Sequence, residues 1–364
     1  MPIAMDHEAA VDSSELEHFF EETARGFDRA ADQLGESSHD FRVAGRQVRI
    51  RFAGPQLAHL ARPLAHLKCG SDCRLADVDG LEILAWESAA GWLPPRPPWD
   101  FSRLAHGGAI AGLDNERILV NFSADHGLLC LYHRPTRRAL YWLPEAERLP
   151  YWETAAPFRI LLHWWSQSFG GHVTHAAAVG WNGEGILLAG RGGSGKSTTA
   201  ICCVDAGMEY VGDDYVLLTG APIPTAHSLY NSAKIHTAFL RQAMPHWRDR
   251  VAGEIGPEHK SLLFLQECLR HQVYDRLTIR GVIQPKVGPL SQARITPQPP
   301  SLGVLAIAPS TMYQLPESRQ ATLSFFADWM RDVPAFRLDL SSDLASAPRE
   351  LIKFLAGKES LHAA

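Results

Sequence analysis

The chain has 364 residues, 46% of them hydrophobic and 21% charged, with 35 Lys and Arg against 40 Asp and Glu for a formal net charge of -5. That length exceeds one ordinary domain and supports a sizeable core, while the acidic balance disfavours nucleic acid or an anionic membrane as principal partner. No apolar run approaches the roughly 20 residues of a membrane span, and the acidic opening "MPIAMDHEAAVDSSELEHFFEE" does not read as a signal peptide, so a cytoplasmic protein is expected.

Residues 1–34 read as an acidic tail carrying one helix, "ELEHFFEETARGFDRAADQL", capped by Ser13 or Ser14. Residues 35–150 read as a β-rich α+β domain. "FRVAGRQVRIRF" alternates around Gly45 as paired strands, "LAHLARPLAHL" is a helix interrupted at Pro63, and "LEILAWES" is a strand. "GWLPPRPPWD" is a stiff connector. Between Gly107 and Leu143 the runs "RILVNFS", "LLCLYH" and "ALYWLP" are spaced like an antiparallel meander. "FRILLHWWSQSF" then has helical spacing, with Trp164 and Trp165 as core residues. Cys69 and Cys73 are close in sequence, but no second pair or Cys/His set completes a zinc site. Cys202 and Cys203 read as buried thiols.

Residues 151–364 read as the domain that carries chemistry. In "HVTHAAAVGWNGEGILLAGRGGSGKS" two apolar strands flank an Asn-Gly turn, so the strand entering the glycine loop is expected to run antiparallel to the one before it. "GRGGSGKS" fits G-x-x-x-x-G-K-[ST], between a strand and a helix. Gly190, Gly192, Gly193, Ser194 and Gly195 can turn backbone N–H groups toward phosphates, joined by the first helical residues Lys196, Ser197 and Thr198. Lys196 would reach the terminal phosphates, and the Ser197 hydroxyl would ligate Mg²⁺. In "EYVGDDYVLL", Asp213 and Asp214 are doubled where one carboxylate suffices for a metal. The second suggests a general base on an acceptor hydroxyl. His175 is expected on the strand neighbouring the loop strand. Lys234 and Lys260 are candidates for phosphate or substrate contacts, with Arg319 a weaker one.

The order His175-Ala-Ala-Ala-Val, short hairpin, glycine loop, Gly-Asp-Asp and strand resembles the HPr kinase/phosphorylase catalytic domain. The phosphoenolpyruvate carboxykinases share that P-loop architecture. The stretches "LPYWETAAPFRILLHWW", "HSLYNSAKIH", "HKSLLFL" and "APSTMYQLP" resemble more closely the HPr-kinase-related proteins of peptide-biosynthesis clusters, including lasso-peptide precursor serine kinases. No basic C-terminal docking helix and no phosphorylase signature are found. The resemblance implies an α/β P-loop domain with a mixed sheet. It implies transfer of the γ-phosphate of ATP, or of GTP, with Mg²⁺, to a serine of a peptide or protein, typically a lasso-type precursor. In that assignment Asp213, oriented by His175, is the base, Lys196 neutralises phosphate charge, and Ser197 and Asp214 hold the metal, with the order of the two Asp roles open. Assembly into a homo-oligomer is left open. The alternatives are a small-molecule kinase, such as one for free serine, and a nucleotide-binding regulatory protein with little turnover.

Overall fold

The computed structural model describes residues 12–70, 79–88, 92–110, 113, 116–316 and 319–357. Cys73 lies outside them. The chain divides into two compact units: one of Met1–His39, Arg49–His59 and Asp79–Leu149, the other of Asp40–Val48, Leu60–Val78 and Pro150–Ala364.

Helix α1 (Ser13–Leu34) opens the first unit. The Asp12 side chain, rather than Ser13 or Ser14, caps it by accepting from the Ser14 amide (3.0 Å). The helix expected in the acidic N-terminal segment is present and packed: Leu16, Phe20 and Phe27 are fully buried. Hairpin β1 (Glu36–Val43) and β2 (Arg46–Ala53) turns through Ala44 and Gly45, both at positive φ. The stretch Ala58–Leu67 is a 3-10 helix with Pro63 inside it. Strands β3 (Leu81–Glu87), β4 (Ile118–Ser123), β5 (Leu128–His133) and β6 (Arg138–Leu143) complete a sheet of order β1-β2-β3-β6-β5-β4. The expected meander is β4–β5–β6, antiparallel throughout. The core collects apolar residues of α1 with Trp86, Leu131 and Leu140.

The second unit is a mixed sheet covered on both faces. Helix α2 (Arg159–Ser166) buries Trp164 and Trp165. It leads to β7 (Gly171–Thr174), β8 (Ala177–Trp181), β9 (Glu184–Leu188) and α3 (Lys196–Asp205). Then come β10 (Glu209–Gly212), β11 (Val216–Thr219) and β12 (Thr225–Ser228). A separate small sheet, order β13-β15-β14, contains β13 (Ser232–His236), β14 (Val251–Ile255) and β15 (Lys260–Phe264), with α4 (Thr237–Ala243) and α5 (Leu265–Cys268) beside them in the chain. The chain returns through β16 (Arg276–Leu290), β17 (Arg294–Gln298), α6 (Pro300–Gln314), α7 (Arg319–Trp329), β18 (Ala335–Ser341) and α8 (Ser346–Ala356). The main sheet runs β10-β8-β9-β16-β12-β11-β7, with β18 beside β16 and β17 beside β18.

Alternation along the central strands explains the layers. Ala177, Val179, Ile186 and Leu188 face a core with Ala200, Ile201 and Cys203 of α3 and Leu351 of α8. Ala176, Ala178, Leu187 and Ala189 face the opposite core, with Ile307 of α6 and Phe326 and Trp329 of α7. Strands buried on both faces read as continuous apolar runs, as here. Burial raises the Cys202 thiol to about 11 and holds the Cys203 thiol well above the ordinary thiol range.

The expected hairpin is present: β8 and β9 pair antiparallel through Asn182 and Gly183, both at positive φ. Gly180 lies directly opposite Gly185 because the Leu277 side chain crosses them. A Cβ on Gly180 would lie 2.6 Å from the Glu184 carbonyl oxygen and 2.7 Å from Leu277. Gly180→Ala is therefore expected to cost ~1–3 kcal/mol, read as a lower urea midpoint. An unchanged midpoint would show that the ladder yields at no cost.

Candidate active site

Strands β7 and β8 face β11 and β10 as one long antiparallel ribbon with a gap in its middle. Thr174 pairs with Val216 on one side of the gap, and Ala178 with Gly212 on the other. Residues His175–Ala176 on one side of the ribbon, and Asp213–Tyr215 on the other, lie outside the ladder. His175 thus sits at a bend between two strands, not on a strand as its apolar neighbours suggest. The gap brings it opposite the acidic pair. His175 Nε2 is 3.9 Å from Asp214 Oδ1, and its ring centroid lies 5.5 Å from that of Tyr215.

The glycine loop arrives at the same end of the sheet. Antiparallel pairing of Ala177 with Leu188 sets the start of β8 beside the end of β9, so the bend before β8 and the loop after β9 are neighbours. Gly190, Gly193 and Gly195 adopt φ of +143°, +77° and +99°, values that a Cβ would oppose. Gly195 caps α3, whose first residues are Lys196, Ser197 and Thr198. Their amides have no acceptor within the helix and carry its partial positive charge. Gly192 has open space where a Cβ would be. The Ser194 hydroxyl is buried without a hydrogen-bond partner. Lys196 is only 7% exposed. Its ammonium donates to the Gly190 carbonyl (2.7 Å) and the Arg191 carbonyl (3.4 Å) of its own loop.

The carboxylates have opposite environments. Asp213 is 2% exposed and accepts the Lys234 amide at Oδ2 (3.0 Å), while Oδ1 has no hydrogen-bond partner. Burial, then the charge of Asp214, raises its carboxyl to about 6; the Lys234 amide and the Ser197 hydroxyl oppose the rise. The Asp214 side chain is more open, at 22% exposure, and is ion-paired to the Lys234 ammonium. Burial would raise Asp214, but Lys234, His175 and Lys260 outweigh it and hold the carboxyl at about 2. Burial lowers His175 to about 4 against the pull of Asp214, aided by Lys196, Lys234 and Lys260, so its ring is neutral near pH 7.

The sequence-chosen residues therefore converge, with one difference in pairing. The Ser197 hydroxyl lowers the pKa of the Asp213 carboxyl, whereas the sequence reading, which leaves the order of the two Asp roles open, names Asp214 beside it for a metal. Lys234 stands on β13 with both its amide and its ammonium at the acidic pair. Lys260 begins β15 and pairs with Glu258 (2.7 Å), yet its charge reaches His175, Lys196 and Asp214. Arg319 opens α7 and takes no part in these contacts. Sequence reasoning overlooked Tyr215, Thr311 and Gln314. Tyr215 directly follows the acidic pair, a signal that was available. Thr311 and Gln314 lie in "APSTMYQLP", where the spacing names no partner.

Among the described residues, no group of three or more His, Cys, Asp or Glu side chains is arranged to hold a metal by itself. Also among them, no helix is long and apolar enough to cross a membrane. Comparison with protein-family models and with curated proteins gives no match. Among solved structures, the chain is similar to the Hpr(Ser) kinase/phosphatase from Coxiella burnetii, at 13% identity and a TM-score of 0.28, over 51% of this chain and 94% of that one. A likeness of that size decides neither fold nor activity, and the α/β architecture rests on the sheet and helices described above.

Proposed function

We propose that the chain is a phosphotransferase that moves the γ-phosphoryl group of ATP, or of GTP, to a serine hydroxyl of a peptide or protein. The observation that carries this reading is the ribbon gap. It gathers two carboxylates of opposite character, a neutral imidazole and Lys234 beside a glycine loop that opens a helix. Loop amides and helix N-terminus suit the nucleotide phosphates.

A divalent cation fits the residues present. Asp213 offers a buried oxygen without a hydrogen-bond partner, the Ser197 hydroxyl lowers the pKa of the same carboxyl, and Mg²⁺ takes one or two protein oxygens and completes its shell with phosphates and water. Ser197 and Asp213 would hold it, and it would neutralise charge on the β- and γ-phosphates. Asp214, the more exposed carboxylate, faces His175 and takes the acceptor side. Lys234 turns from Asp214 to the transferred phosphoryl oxygens, which frees Asp214 to become basic. The acceptor hydroxyl gives its proton to Asp214, its oxygen bonds to the γ-phosphorus, and the bond to the β-phosphate oxygen breaks. A nucleoside diphosphate leaves.

The finer reading of the acceptor is a ribosomally made precursor peptide of the lasso type, supported by the sequence resemblance. The test is mass spectrometry after incubation with MgATP. Addition of one phosphoryl group to a serine of such a peptide, lost in chelator and restored by Mg²⁺, is the expected result. Phosphorylation of free serine alone would make the chain a small-molecule kinase. Tight nucleotide binding without turnover on any acceptor would make it a regulatory protein.

A further inference from the structure

Helix α6 reaches the ribbon gap twice. The His175 amide has lost its ladder partner there, and it donates instead to Thr311 Oγ1 (3.1 Å). Thr311 is buried, and its hydroxyl donates to the Ile307 carbonyl one turn earlier (3.1 Å), which leaves the oxygen's lone pairs for His175. Three residues on, Gln314 Oε1 accepts the Tyr215 hydroxyl. The Tyr215 ring in turn packs on the His175 ring. Burial raises the phenol to about 12, so it remains a donor. The same helix therefore holds the His175 backbone by one side chain and the cover of its ring by another. His175 Nδ1 is buried without a partner, and Nε2 faces Asp214.

We propose that Thr311 and the Tyr215–Gln314 pair are positioning residues that hold the His175 imidazole against Asp214. The inference rests on reading His175 and Asp214 as the acceptor-side pair. None of the three residues needs to touch a substrate. Their work is to fix one bend and one ring plane, and a displacement of about 1 Å at a reacting centre can cost on the order of 10² in rate.

The test uses Thr311→Val, Thr311→Ser and Tyr215→Phe in the full chain. The Val variant removes the acceptor at equal size, Ser keeps it, and Phe keeps the ring but frees it from Gln314. In phosphoryl transfer, Thr311→Val and Tyr215→Phe should lower kcat by about 10- to 100-fold with the nucleotide KM within twofold, and Thr311→Ser should stay within about threefold of the parent. A kcat for Thr311→Val equal to the parent's would overturn the proposal. So would a Thr311→Ser variant as impaired as Val, with nucleotide KM raised in parallel. A second readout needs no turnover. The ¹⁵N shifts of the His175 ring at neutral pH should report one tautomer, with hydrogen on Nε2 toward Asp214. That population should become mixed in Thr311→Val and Tyr215→Phe and remain single in Thr311→Ser. If the tautomer responds this way but no acceptor is ever phosphorylated, the functional reading fails while the positioning frame stands. An unchanged tautomer in all three variants removes the frame.

Discussion

Lys196→Ala is expected to lower phosphoryl transfer by about 10² to 10³ while the protein stays folded. Lys196 is buried, but its ammonium is not a core anchor; it is held by carbonyls of the loop that it follows. Burial lowers its pKa, while the charges of Asp213 and Asp214 oppose that change. In the parent a phosphate can exchange for the Gly190 and Arg191 carbonyls without a new cation having to be desolvated. The Ala variant loses both the cation and the brace across the loop. Lys196→Met keeps the length of the side chain and separates the two losses, since only charge is then missing. The measurement is the single-turnover rate with γ-labelled MgATP, beside a thermal melt. Near-normal transfer in a folded Lys196→Ala protein would detach the glycine loop from the chemistry.

Asp213→Asn should lose the activity and gain stability. The buried, partly unsatisfied Asp213 carboxylate lies beside a second carboxylate, and its folded-state value of about 6 stands above the ordinary 3.8. As pH rises from about 4 to 6, the unfolded chain gives up this proton before the folded one, so this group subtracts stability across that window and most above it. Asn still accepts the Lys234 amide but has no charge to bury. The variant should therefore melt with the parent below about pH 4 and roughly 2 to 4 °C above it at pH 7. Asp214 titrates at lower pH: its depressed value contributes stability that is fully present above about pH 4 and is lost only as pH falls toward 2, so it is constant across the window. At pH 7 the same Asn variant should lose the Mg²⁺-dependent part of nucleotide affinity, because Asp213 Oδ1 would hold the ion. Asp214→Asn should keep that affinity and lose turnover. If the Asn variant at 213 binds MgATP normally, the metal belongs on the other carboxylate; if its melting gap does not open with pH, the Asp213 carboxyl is not held above its ordinary range.

Elements governed by local rules were legible in the sequence. The Asn182-Gly183 turn, the glycine loop ahead of a helix, the β4–β5–β6 meander and the buried Trp164 and Trp165 follow from turn chemistry and apolar spacing. The ribbon gap was not legible. His175-Ala-Ala-Ala-Val has no breaker, so the apolar pattern runs straight through the bend, and only the pairing of distant strands reveals it. The opposite environments of Asp213 and Asp214 were hidden for a related reason. Adjacent side chains outside a ladder diverge, and which of them takes the Lys234 amide and which the Lys234 ammonium is decided by the bend. The N-terminal segment shows the limit of composition: its helix was legible among the acidic residues, but not that Leu16, Phe20 and Phe27 would be fully buried in a core with strand residues such as Trp86 and Leu131. Thr311 and Gln314 act from a helix nearly a hundred positions beyond the acidic pair, a relation no period in the sequence encodes.

The ribbon also bears on the order of folding. His175, the glycine loop and the acidic pair all lie between residues 171 and 219, joined by one tight hairpin and by the pairing of β10 with its near neighbour β8. Loop closure over such short separations costs little chain entropy. The parallel partner of the loop strand, β16, and the further strand β18 come much later in the chain and must close longer loops. Contacts of low sequence separation form fastest. The constellation can therefore assemble as a local nucleus, with the sheet and α6 closing around it afterwards. On that order, defects in β18 would slow the final docking step while leaving the hairpin and its loop to form at their own rate.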